Sequence, residues 1–213
     1  MTVITKKVRL MAAPEPPFVG TTLKVKVEGD DLTFGIGTGT LASGHESISV
    51  DWGDGQRESF EKITKATHTY AKAGTYEIGL SDDVGILIVT GLIFPEHAPK
   101  IIAVKSNAQS FSYFGDSSFA DCANLHEVDV RESTMNNLLG RQFKDCVSLS
   151  GELFFPKVAR INGSNASAPF CGCTGGITAI HFASVNQATI TSSSGFRNDP
   201  TLGVPEAEIK FDL

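Results

Sequence analysis

The side chains here best able to hold a metal, attack a carbon or move a proton are the cysteines, the histidines and a few paired aspartates. Zinc needs converging ligands, often as C-x2-C knuckles. Cys122, Cys146 and Cys173 instead each follow a phenylalanine by three residues, after Phe119, Phe143 and Phe170. Equivalent places in a repeat set the thiols one coil apart, where a small side chain with a weak S–H donor suits a tight buried turn. They are expected to pack rather than to ligate, with a disulfide from Cys171 to a neighbouring thiol as the competing reading. Asp51, Asp54, Asp82 and Asp83 lack the dense ligand spacing of an EF-hand loop. Turn structure, not calcium binding, is their expected role.

Nucleophilic and phosphoryl-transfer chemistry leave recognisable strings, and neither G-x-S-x-G, H-E-x-x-H nor a P-loop occurs. Gly35-Ile36-Gly37-Thr38-Gly39 is followed by no helical pattern and reads as turn or strand glycine. The histidines are scattered at His45, His68, His97, His126 and His181. No catalytic residue, metal or cofactor is therefore expected. A net charge of −6, with no basic run beyond Lys6-Lys7, argues against a nucleic-acid partner, because phosphates need a concentrated basic face.

No apolar stretch approaches the roughly 18 residues of a bilayer span, so membrane insertion is not expected. The opening MTVITKKVRLMAAPEPP is basic, but its apolar piece after Arg9 is too short for a signal-peptide core. The prolines Pro14, Pro16 and Pro17 hold their predecessors extended, so residues 1–19 read as an extended lead-in.

Two rhythms follow. Over residues 20–92 apolar residues alternate, as in Leu23/Val25/Val27, Leu32/Phe34/Ile36, Ile48/Val50/Trp52 and Tyr76/Ile78/Leu80, with glycine and aspartate turns between the runs. Period two buries one face of each strand, and five or more short strands predict an antiparallel β-sandwich. Over residues 98–213 the period lengthens. Phenylalanines at Phe119, Phe143, Phe170 and Phe196 lie 24, 27 and 26 positions apart and open similar segments. Each segment leads to an alternating strand, Val128/Val130, Leu153/Phe155, Ile180/Phe182 and Ile209/Phe211, and Ile102/Val104 precedes them. One strand per coil, stacked in parallel, predicts a solenoid with the four phenylalanines as an interior ladder. Asp199 replaces cysteine in the fourth segment, which fits a terminal coil open to solvent.

Between the buried residues of each strand one side chain must face outward: Asp129, Phe154, His181 and Lys210, with Ala103 on the first strand. Parallel stacking makes them a file across the sheet. An aromatic ring beside an imidazole and an ammonium makes this file the candidate binding site. Open sandwich edges, and Phe211 on the terminal rung, also predict weak self-association.

The segment VDWGDG…HTYAKAGTYEIGL resembles the PKD domain, an immunoglobulin-like sandwich, with Trp52 in the aromatic place before the G-D-G turn and His68-Thr69-Tyr70 as its H-x-Y. The F-x2-C-x2-L segments, with FPKVARI at 155–161, resemble the BspA-like leucine-rich repeats of bacterial surface proteins; the third carries an extra glycine and the fourth lacks cysteine. The pairing implies an extracellular or cell-surface bacterial protein, its sandwich a spacer and its solenoid a non-catalytic recognition surface for a protein or glycan. A structural spacer or assembly component, of surface-appendage or phage type, is the alternative.

Overall fold

A computed structural model describes residues 20–36, 48–60, 66–82, 96–107, 117–133, 137–163 and 167–213. The lead-in expected over 1–19 and the apolar run Ile86-Leu87-Ile88-Val89 lie outside them. The protein is mainly β. Among the described residues no helix is long and apolar enough to cross a membrane.

The N-terminal strands are β1 (Thr21–Val27), β2 (Leu32–Ile36), β3 (Ile48–Asp51), β4 (Arg57–Phe60), β5 (Ala66–Tyr70) and β6 (Gly74–Asp82). Alternation sets the faces: Leu23, Val25 and Val27 of β1 are buried while Lys24 and Lys26 are exposed. β1 and β6 pair antiparallel with Leu23 opposite Ile78, and β3 joins β6 and β4. β2 and β5 form a separate antiparallel pair, Phe34 opposite His68. The inward residues of both sheets, among them Val25, Phe34, Trp52, Tyr70 and Ile78, share one apolar cluster.

That cluster runs on into the second half, as far as Val204. After a 3-10 turn at Ala98–Lys100, β7 (Ile101–Ser106) pairs antiparallel with β1, Leu23 opposite Val104, and parallel with β8 (Glu127–Asp129). One six-stranded sheet, ordered β4-β3-β6-β1-β7-β8, therefore crosses from the first rhythm to the second. Downstream come β9 (Asn137–Leu138), β10 (Gly151–Phe155), β11 (Arg160–Ile161), β12 (Ile177–Phe182), the short helices α1 (Gln187–Ser192) and α2 (Ser194–Asn198), and β13 (Glu208–Phe211). β10, β12 and β13 make a parallel three-stranded sheet, and β9 and β11 a parallel pair.

Between these strands the turns stack on one another. The rings of Phe119 and Phe143 lie 5.5 Å apart and within 6° of parallel, and those of Phe143 and Phe170 lie 5.4 Å apart at 5°. All three are fully buried. The backbone follows the same spacing, as the amide of Phe119 donates to the carbonyl of Gln142 (2.9 Å) and that of Phe143 to Pro169 (2.8 Å). The cysteine thiols add a third tie, because Cys146 donates to the carbonyl of Phe119 (3.2 Å) and Cys173 to that of Phe143 (3.0 Å). Two residues after each phenylalanine the chain turns left-handed, at Asp121, Asp145 and Gly172. Aspartate tolerates that conformation and glycine adopts it freely.

Phe196 does not continue the ladder. Its segment keeps the local turn, with the Leu202 amide on the Asp199 carbonyl as Leu125 is on Cys122. The insertion of α1 and α2 shifts the stacking, however, so that the Phe170 amide meets the carbonyl of Leu202 (3.1 Å). Gly203 then lies against the turn at Phe170 and Cys171 so closely that a Cβ would stand 2.6 Å from the Cys171 nitrogen. No phenylalanine fits there. Phe196 sits in α2, partly buried, with its edge toward Phe211 at 6.2 Å.

These positions predict unequal costs of truncation. Phe143→Ala, which opens a cavity between two rings, is expected to cost about 3 to 5 kcal/mol in urea denaturation. Phe196→Ala is expected to cost about 1 to 2 kcal/mol. Equal losses would contradict the difference in packing.

Candidate functional site

Register places three of the four file residues side by side: Phe154 on β10 opposite His181 on β12, and His181 opposite Lys210 on β13. Their strands form because Leu153/Phe155 and Ile180/Phe182 fill the interior, leaving the intervening side chains on the other face. Asp129 is on β8, which belongs to the six-stranded sheet and comes close to β10 without pairing with it.

The central member is the most constrained. The Phe154 and His181 rings stack at 4.6 Å and 16°. His181 Nδ1 meets Asp212 Oδ1 at 2.8 Å, and Nε2 stands 3.8 Å from Glu152 Oε2. A carboxylate only accepts, so Nδ1 carries the proton in the first contact. His181 thus lies on the outer face, yet its side chain is only 8% exposed because its longer neighbours cover it. Lys210 Nζ pairs with Glu208 Oε2 at 3.2 Å, and this raises the lysine above its ordinary range. Arg131 grips Asp129 with two bonds of 2.9 Å and holds that carboxyl below the usual carboxylate range, against the opposing effect of burial.

Glu152 and Asp212 were not among the sequence candidates. The signal was parity: each lies two positions from a file member on its own chain segment, and so on the same face.

The aspartates of VDWGDG make local structure. Asp51 Oδ1 accepts the Gly53 amide (3.0 Å), and Oδ2 accepts Arg57 Nε (2.7 Å). Asp54 Oδ1 accepts the Gln56 amide (3.0 Å) and its Oδ2 meets His68 Nε2 at 2.7 Å. His68 stacks on buried Trp52 at 5.0 Å, and the Tyr70 hydroxyl donates to the Trp52 carbonyl at 2.9 Å. Gly53 adopts φ 78° where a Cβ would meet the Glu77 carbonyl oxygen at 2.5 Å, so only glycine turns here. Burial raises the Asp54 carboxyl, but the hydrogen bond with His68 and that from the Gln56 amide outweigh it, leaving a lowered value.

All four cysteines are free, with Cys122 and Cys146 buried and Cys171 and Cys173 partly so. Contact with Cys122, together with burial, pushes the Cys146 thiol up, and contact with Cys146 followed by burial does the same at Cys173. Burial is also the main cause at Cys171. Raised in this way, Cys146, Cys171 and Cys173 are poor nucleophiles, since the thiolate is the reactive form. Among the described residues no three His, Cys, Asp or Glu side chains converge to hold a metal ion.

No protein-family model, no curated protein and no solved structure matches the chain.

Two measurements check these environments. A carboxyl lowered by folding contributes stability above its unfolded value, near pH 4, and loses it as pH falls through the folded value. Asp54→Asn is therefore expected to destabilise at pH 7, with the gap to the parent closing as pH falls below about 4. A gap independent of pH would remove the charged role of Asp54. In native thiol titration Cys122 and Cys146 should stay unreactive until denaturant is added, and four freely reactive native thiols would contradict their burial.

Proposed function

We propose that this chain is a non-catalytic recognition protein of a bacterial exterior, built as a PKD-like sandwich fused to a short BspA-like leucine-rich-repeat solenoid. The sandwich corresponds to residues 20–92 and the solenoid to 98–213. Its binding surface is the outer face of the parallel strands, centred on Phe154, His181 and Lys210 with Asp129 at the margin. The observation that carries this reading is the in-register row Phe154–His181–Lys210. Such a row offers an aromatic ring and an ammonium to one partner on either side of a largely covered imidazole.

Further support comes from the parallel stacking of equivalent turns, with thiols and phenylalanines in columns. Repeats of that kind commonly present an extended sheet for binding. The extracellular location rests on the sequence resemblance alone. The continuous β1-β7 pairing and shared core also favour the second reading, a rigid spacer or assembly component. The two differ in whether the face has a ligand.

Screening the purified chain against immobilised extracellular-matrix proteins and a glycan array separates them. Recognition predicts a saturable hit weakened about tenfold by Phe154→Ala, the scale of an aromatic anchor at an interface. A hit unchanged by Phe154→Ala and Lys210→Ala would overturn the assignment of this face.

A further inference from the structure

The carboxylates of the outer face are not equally neutralised. Glu127 pairs with Lys105 at 3.0 Å, Asp129 with Arg131 at 2.9 Å and Glu208 with Lys210 at 3.2 Å. Glu152 and Asp212 instead converge on one imidazole, that of His181. Neither forms an ion pair with a lysine or arginine among the described residues, and the nearby Lys210 ammonium, which feels both, is held by Glu208.

His181 carries a second, independent mark. Its side chain is 92% buried, and Nε2 is the one buried side-chain nitrogen or oxygen among the described residues without a hydrogen-bond partner. In the tautomer protonated at Nδ1 alone, which donates to Asp212, Nε2 presents a lone pair. Opposite it, at 3.8 Å, is the Glu152 carboxylate, which is also an acceptor. Two acceptors facing each other repel, and a buried unsatisfied acceptor is unfavourable. A donor bearing positive charge resolves both.

The smallest side chain of the face lies beside them, covered at 2% exposure by longer neighbours that a ligand has to displace. Ala179 separates Glu152 from Glu208, so a methyl group lies between two carboxylate-bearing strands about 9 to 10 Å apart. Glu152 is 52% exposed and can swing aside, while the Phe154 ring beside His181 offers an apolar wall for an aliphatic stem.

We infer that Glu152, His181 Nε2 and Asp212 form a subsite for a cationic side chain, a lysine or arginine, of a protein partner. This rests on the recognition face proposed above and names the chemistry of its ligand. The cationic N–H donates to Nε2 and Glu152, and Asp212 holds the ring in the accepting tautomer.

The test uses the intact chain and small probes: Nα-acetyl-lysine methylamide, its arginine counterpart, the uncharged norleucine analogue and N-acetylglucosamine. NMR of the His181 ring nitrogens reads the site directly. The lysine and arginine probes should shift Nε2 saturably with Nδ1 still protonated, and norleucine and the sugar should not. Glu152→Gln should weaken the charged probes about fivefold, the scale of one charge-assisted contact at a half-exposed position. Asp212→Asn, with unchanged amide spectra elsewhere, should weaken them as well.

Equal shifts from norleucine or the sugar, no effect of Glu152→Gln, or a proton already on Nε2 without probe would overturn the inference. In those cases a screened partner still sensitive to Phe154→Ala would leave the recognition face standing. A partner insensitive to Phe154→Ala would remove that face instead.

Discussion

The stacking of Phe119, Phe143 and Phe170 sets the spacing on which the second half depends. Rings 5.4 to 5.5 Å apart and nearly parallel fix the rise from one turn to the next. At that rise a backbone amide reaches the carbonyl of the following turn, and a cysteine thiol reaches back to the carbonyl of the preceding one. These ties are each modest, but they share one geometry and so reinforce it. The strands that leave the turns inherit the register. Phe154, His181 and Lys210 become neighbours as a consequence, with a second aromatic column, Phe155, Phe182 and Phe211, beneath them.

The first half is tied to that stack by hydrogen bonds as well as by covalent connection. β7 is the hinge of the arrangement, antiparallel to β1 on one side and parallel to β8 on the other. Its inward residues Ile101 and Val104 belong to the same buried cluster as Leu23 and Ile78. Motion of one half against the other would break a ladder and open a core. The proposed binding face is thus carried on a stiff support, which would limit the ordering cost of engaging a partner.

What the sequence makes legible follows the range of each interaction. Alternation within a strand is local, so the buried faces of β1 and β6, at Leu23, Val25 and Val27 and at Ile78 and Leu80, are readable from it. The phenylalanine and cysteine columns are readable because a repeat writes the same contact several times. Pairing of β1 with β7 spans some eighty residues and leaves no periodic trace, which is why the shared sheet is visible only in three dimensions. β9 and β11 are two residues each, too short for any alternation. Phe196 shows the complementary failure: its segment keeps the phenylalanine and leucine of the motif, but α1 and α2 alter the distance between turns, and the stack takes Leu202 and Gly203 instead. At the candidate site the file itself was legible from parity. The two carboxylates beside His181 share that parity, but their convergence on a side chain of another strand leaves no mark in either segment's own sequence.

Native-state hydrogen exchange tests the central claim most directly. The amides of Phe119, Asp121, Phe143, Asp145 and Phe170 each donate to the next turn. If interlocked rungs hold the second half, these five should exchange only through global unfolding, with the same protection as the β1 amides paired to β7. Exchange at rates near those of exposed loops would contradict the stack, and with it the register that assembles the outer face.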